Sequence, residues 1–145
     1  IVGEVRGEEI LDMIQSISSG HSGTLAIVHA DSPDECFNRM ITMMLMSGIR
    51  LSGEQIRKQV ATSVDLIVHS ELSIDGVRRI TNITDLRYDR ATDQIALEDI
   101  FVFKQERVDE ATGKVYGDWV MSHKLPSFAH KFTKRNIRLP QEFLK

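Results

Sequence analysis

The chain carries a single cysteine, Cys36. An internal disulfide is thereby excluded, and the composition suits a reducing compartment. Long apolar runs are missing too. Nothing approaches the roughly 20 residues that a membrane-spanning helix needs, and no signal-peptide order opens the sequence. Positive charge is not in excess: 18 Lys and Arg stand against 21 Asp and Glu, a net −3. That balance supplies no pull toward nucleic acid or anionic lipid, so no direct nucleic-acid contact is expected. No repeat, low-complexity run or linker is present. Nor is there an initiator methionine. The chain opens on Ile1-Val2, as though partway along a buried strand, whereas domains usually begin in polar or flexible sequence. A piece of a longer polypeptide is expected.

What is present is ordinary in amount and specific in order. With 41% hydrophobic and 27% charged residues in 145, the chain reads as one globular domain with a real core. Ile1-Val2 reads as the end of a buried parallel strand, and Gly7-Glu8-Glu9 places negative charge where a helix begins. Ile10, Met13, Ile14 and Ile17 follow at helical spacing, and Gly20 stands where a helix ends. Leu25 to Val28 reads as a second buried strand. Ser32-Pro33-Asp34-Glu35 is a capping box with proline first in the helix, and Gly48 ends that helix. Ser52 to Gln55 starts another, with Ile56, Val60 and Val64 on one face. Residues 1–63 are thus β-α-β-α-α.

The pattern then changes. Stretches 65–70, 77–86, 95–103 and 115–121 read as strands, with hairpin signals at Asp75-Gly76 and Ala111-Thr112-Gly113. Residues 64–125 form an antiparallel extension, and 126–145 a tail in which Pro126 and Pro140 begin two short helices. The facing of Ile80, Asn82, Thr84 and Leu86 is left open, because polar and apolar residues alternate unevenly there.

Three side chains lie where chemistry is expected. In open α/β sheets, ligands bind at the carboxyl ends of strands, and Glu4 and His29 each follow an apolar run, while His21 follows a helix end. An acid ending such a strand reads either as a carboxylate holding Mg²⁺ at a nucleotide phosphate or as a surface group capping the next helix. A histidine there donates to phosphate, pairs with a carboxylate, or stabilises a turn. Zinc is disfavoured, since the spacing of His21, His29 and Cys36 matches no standard ligand pattern.

GEVRGEE, followed by SGHSGTLAIVHADSP, resembles the Walker B box and histidine box of the secretion ATPase superfamily, which powers type II secretion, type IV secretion and type IV pilus assembly. The chain is most similar to its CpaF-like branch, which serves Tad-type pili. NRMITMMLMSGIRLS, IRKQVATSVDLIVHSELSIDGVRRITNITDL, DIFVFKQERVDEATGKVYG and PSFAHKFTKRNIRLPQEF extend the likeness nearly end to end. The resemblance implies an α/β fold: the C-terminal part of a single RecA-like P-loop NTPase domain, parallel strands with helices, extended by antiparallel hairpins and short C-terminal helices. It implies ATP and Mg²⁺ as cofactors and catalytic roles for Glu4 and His29. Glu4 would act on the metal, through water, and His29 near the phosphate. Arg6, Glu9, Gly20 and His21 would complete the nucleotide site, with Thr24 at a usual small polar position. Ile27 departs from the pattern, which often has threonine there.

The larger departure is the missing phosphate cradle. No G-x-x-x-x-G-K-[ST] occurs, and Gly113-Lys114 continues with valine. The family's P-loop and aspartate box precede its Walker B box. This chain is therefore expected to be inactive alone, whereas the whole protein would hydrolyse ATP. The resemblance further implies a homo-oligomer, a hexameric ring when full length, at the cytoplasmic face of the inner membrane beside secretion or pilus platform proteins. The rival reading is a non-catalytic assembly module of such a ring. Lys124, Lys131, Lys134, Arg135, Arg138 and Lys145 form a solvated basic face or a surface for an acidic partner. Met43-Met44-Leu45-Met46 reads as core packing. Arg57, Arg78 and Arg79 are candidates to face a neighbouring subunit.

Overall fold

Three helices pack against one another to make the first core. Helix α1, Glu9–Ser18, has Glu9 and Asp12 in its first turn, which suits its dipole, and buries Ile10, Met13 and Ile14 at helical spacing. Gly20, just past its end, has φ +99°, a conformation open to glycine at little cost. Helix α2, Pro33–Met46, starts on Ser32, whose hydroxyl accepts from Glu35 N at 3.1 Å. Its expected capping box closes one residue early, because the Glu35 carboxylate accepts from Asp31 N at 3.1 Å. Helix α3, Gly53–Ser63, has the full reciprocal box between Ser52 and Gln55. Met43 and Met44 are buried in the core, while Leu45 and Met46 are exposed on the other face of α2.

This computed structural model describes all residues except His21, Ser22 and Lys145, with only the backbone of Leu144. It divides into two compact units, Ile1–Val64 with Tyr88–Ala96, and Asp65–Arg87 with Leu97–Lys145. In the first, the parallel pairing expected of the opening strands is present as one bridge, Val2 with Ala26. Val2 N donates to Leu25 O and Val5 N to Ile27 O, both at 2.8 Å. Val5 is buried, but Leu25 and Ile27 are 65% and 56% exposed, against the expectation of a buried second strand. A parallel strand is buried only where helices and neighbouring strands cover it on both sides, and a single bridge does not provide that cover.

The second unit is built on an antiparallel meander: β1 Leu66–Leu72, β2 Arg78–Asp89, β3 Gln94–Val108 and β4 Val115–Met121, in that spatial order. The tip of the β2–β3 hairpin belongs to the first unit. β3 runs five residues past its expected end at Phe103, since its register with β4 continues to Val108 opposite Val115. Gly76 and Gly113 take positive φ at the two expected hairpin turns. The uneven alternation in β2 has a simple cause: Thr84, Asp85 and Leu86 are all buried, so this part of the strand is covered on both faces.

Two carboxylates tie the sheet together, and neither stood out in the sequence as more than a turn or strand residue. Asp75 forms two 2.7 Å contacts with the Arg79 guanidinium and accepts from Val77 N at 3.2 Å and Val115 N at 2.9 Å. Arg79 also donates to Val115 O at 3.3 Å. The first hairpin turn is thereby tied to the start of β4. Asp85, 1% exposed, accepts from Ser127 N and Ser127 Oγ, both at 2.7 Å, and pins the segment that leads into α4, Ala129–Thr133. A last 3-10 turn, Gln141–Leu144, follows Pro140.

Candidate functional site

The backbone bond from Val5 N to Ile27 O holds the stretch after Glu4 beside the stretch before His29. Burial of Val5 and the parallel bridge fix that register. The outcome is a cluster around one atom. Glu4 Oε1 lies 2.6 Å from Arg6 Nε and 2.8 Å from His29 Nε2. A carboxylate oxygen only accepts, so at these separations the two nitrogens carry the hydrogens. Neither contact is well aligned: Oε1 is shielded from water yet has no donor in good hydrogen-bond geometry. The donors differ from their acceptor in exposure. Glu4 is 28% exposed at its side chain, whereas Arg6 and His29 are 74% and 71% exposed.

Glu9 completes the arrangement from the first turn of α1. Its Oε1 accepts from Arg6 N at 2.6 Å, which fixes the backbone between Glu4 and the helix. The Arg6 guanidinium, 2.6 Å away, holds the Glu4 carboxyl below the ordinary carboxylate range; partial burial opposes this, and the nearby His29 reinforces it. The bond from Arg6 N is also the largest cause keeping the Glu9 carboxyl low. Both acids are therefore anionic at neutral pH.

Four of the expected site residues, Glu4, Arg6, Glu9 and His29, are thus brought together. Gly20 sits at the C-terminal turn of α1, where its N–H bonds Ile17 O at 3.2 Å, so its visible work is to end the helix. His21 lies outside the described residues. Thr24 is half-buried, and Ile27 enters through its carbonyl rather than its side chain. Burial pushes the Cys36 thiol up, which makes it a poor nucleophile.

The other candidates are drawn elsewhere. Arg79 is committed to Asp75 at 13% side-chain exposure, so it is an internal tie. Arg57 lies over the Phe37 ring at 5.2 Å. In the basic tail, Lys131 holds both oxygens of Asp65 at 2.6 Å and Lys124 lies 3.4 Å from Glu98, so part of its charge is neutralised internally. An open groove of about 490 Å³, lined by Gln55, Lys58, Gln59, Thr62, Tyr88 and Arg90, shares no residue with the Glu4 cluster.

The donor set indicates which metal suits it. Among the described residues no group of three or more His, Cys, Asp or Glu is placed to hold a metal ion. Mg²⁺ does not need one, since it keeps several waters and is ordinarily held by one or two carboxylates plus substrate phosphates. Glu4, with Oε2 outside both close contacts, fits that role. Among the described residues no helix is long and apolar enough to cross a membrane.

The family profile described as "Type II/IV secretion system protein" matches residues 1–110. A Mycobacterium tuberculosis protein named for conjugal transfer is 34% identical over 87 residues, 60% of this chain and 24% of that protein. The type IV secretion system protein VirB11 of Brucella suis is 35% identical over 95 residues, 63% of this chain and 26% of that protein. The crystal structure of the VirB11 ATPase from the Brucella suis type IV secretion system, in complex with sulphate, is similar at 35% identity and a TM-score of 0.53. That likeness covers 56% of this chain and 25% of that one. The chain spans about a quarter of the length of the curated relatives it matches. The expected α/β class is borne out by the structural likeness. The profile covers well over half of the sequence, and the chain belongs to the type II/IV secretion system protein family.

Proposed function

We propose that this chain carries the catalytic edge of a motor ATPase, and that hydrolysis in the whole protein drives export. The observation behind this reading is the 2.8 Å contact between Glu4 and His29 in a chain of this family. Mg²⁺, when bound at the nucleotide phosphates, supplies neutralisation of the charge that develops as the phosphoryl group passes to water. Glu4 orients the water on that side through its carboxylate. His29 donates an N–H toward the terminal phosphate and reports its presence to the rest of the subunit. Arg6 and Glu9 hold the junction between Glu4 and α1, and Gly20 and His21 open the histidine-bearing segment. Catalysis in such a site is positioning and electrostatics, with no covalent intermediate on the protein.

Residues 1–145 form the later part of one RecA-like domain in this reading, and the working assembly is a hexameric ring at the cytoplasmic face of the inner membrane. It engages membrane platform proteins of type II or type IV secretion or of Tad-type pilus assembly. The sequence has no G-x-x-x-x-G-K-[ST], and backbone amides and a lysine of such a loop supply most phosphate binding. The chain by itself is therefore inactive. The same absence favours, as a second reading, a non-catalytic module that joins such a ring. The test is His29→Ala in a longer polypeptide that also carries a P-loop. Hydrolysis is expected to fall by about a hundredfold, as for loss of one transition-state donor, while the circular-dichroism melting curve is retained. Unchanged hydrolysis removes His29 from the mechanism.

A further inference from the structure

The Glu4 cluster has one acceptor atom and two donors, and that count has a consequence for how the site responds to phosphate. Arg6 Nε and His29 Nε2 both converge on Oε1. The Nε2 hydrogen that meets Glu4 is also the one a phosphate oxygen would take, and a single N–H does not serve both at full strength. The Arg6 guanidinium is likewise a natural partner of phosphate. The two donors are exposed side chains, whereas the atom they cover is shielded from water. Their contacts are short but poorly aligned, and exposed ion pairs are weak. Removing them requires side-chain rotation only, on the ps–ns scale. Val5 and the backbone bonds to Leu25 and Ile27 stay in place.

We propose that Arg6 and His29 are exchangeable latches on Glu4. Without phosphate they lie against Oε1 and cover it. A polyphosphate ligand draws both donors to its own oxygens and uncovers Oε1. This oxygen of the acid is thereby freed only when the phosphate has arrived. Arg6 is a positioning residue in this scheme: it acts through Glu4 in the empty site and through the phosphate in the filled one. The inference rests on reading Glu4 as the metal-side acid, but its central claim, competition between Glu4 and phosphate for the same two donors, is measurable without turnover.

The probe is inorganic tripolyphosphate without metal, titrated into this chain and followed by the side-chain ¹⁵N resonances of His29 and Arg6. Glu4→Gln frees the donors and is expected to tighten binding about two- to tenfold, the scale of two exposed ion pairs. Removing a negative charge near an anion has some effect of its own, so Glu8→Gln serves as the control for charge alone. The deciding measurement repeats Glu4→Gln in an Arg6→Ala/His29→Ala background, with binding in all variants also read from the ³¹P resonances of the tripolyphosphate. If the latches are the cause, the gain vanishes there; if it persists, or equals that of Glu8→Gln, the proposal is overturned. Absence of any tripolyphosphate-dependent change at His29 and Arg6 in Glu4→Gln also overturns it. The underlying functional reading fails separately. If Glu4→Gln shows the gain yet leaves ATP hydrolysis intact in a P-loop-bearing polypeptide, Glu4 is a latch acceptor but not the catalytic acid. If hydrolysis is lost with no gain, the latch alone is wrong.

Discussion

His29 Nε2 lies 2.8 Å from Glu4 Oε1, although 25 positions separate the two residues along the chain. The parallel bridge between Val2 and Ala26 brings them together, and the Val5–Ile27 bond keeps them there. The contact needs no part of the antiparallel sheet. It does need the register of two short extended stretches whose apolar side chains are only partly covered.

That geometry, with no phosphate cradle in the sequence, sets an expectation for nucleotide. Calorimetric titration of Mg-ATP into this chain is expected to show no saturable binding in the micromolar range where ordinary ATPases work, and no turnover above background. A single-site isotherm with ordinary hydrolysis would overturn the proposal that the chain alone is inactive.

The Asp85–Ser127 contact is expected to be a large point of stability in the second unit. Asp85→Ala removes the acceptor of two part-buried bonds from Ser127 N and Oγ, at a cost of about 1–3 kcal/mol. Asp85→Asn retains one acceptor oxygen and is expected to lose less. Urea unfolding of the three proteins gives the order, and equal midpoints for wild type and Asp85→Ala would show that the segment from Pro126 is not anchored there.

Acid sensitivity follows from five carboxylates held low, one of them Asp109 through the Thr112 hydroxyl. Arg79 is the main cause for Asp75, Lys58 for Asp93, Arg6 for Glu4, and the Arg6 backbone N–H for Glu9. Each has a folded-state value below its unfolded one, so its contribution is present above the unfolded carboxylate range near pH 4 and is lost as pH falls through the folded value. Lys58, raised by Asp93 and Tyr88, has the opposite sign: its contribution is present below about pH 10.4 and is lost as pH rises beyond it. The melting temperature is therefore expected to be level between about pH 5 and 9 and to fall on the acid side. Asp75→Asn should flatten the acid limb more than Asp93→Asn, because Asp75 and Arg79 are the better shielded pair. An unaltered acid limb in Asp75→Asn would remove that pair from the account.

The methionine cluster on α2 gives a contrast within four residues. Met44 is fully buried, whereas Met46 is 75% exposed. Met44→Ala is expected to cost about 2–5 kcal/mol by lost burial and a cavity, and Met46→Ala to stay within about 0.5 kcal/mol. Similar losses at both positions would mean that the exposed face of α2 is covered in solution.

Much of this was legible from local chemistry. The three helices follow from apolar spacing and from Ser32, Pro33, Ser52 and Gln55 at their starts, because caps and periodicity act within one or two turns of the chain. The strands follow from Asp75-Gly76 and Thr112-Gly113, where the backbone itself requires the turn. Glu4 and His29 were legible as candidates through their boxes and their places after apolar stretches. The roles of Asp75, Asp85 and Arg79 were not. An aspartate in a hairpin turn has the same local signature whether it caps its own turn or bonds Val115, forty residues further on.

The sequence by itself determined the helices, the hairpin turns and the identity of the chemical groups, since those depend on near neighbours and side-chain type. Tertiary structure alone decided that Arg6 and His29 share one oxygen of Glu4, and that Leu25 and Ile27 stand exposed beside the site. Such outcomes depend on which surfaces meet and which do not. Spacing along the chain carries no information about an atom approached from two sides.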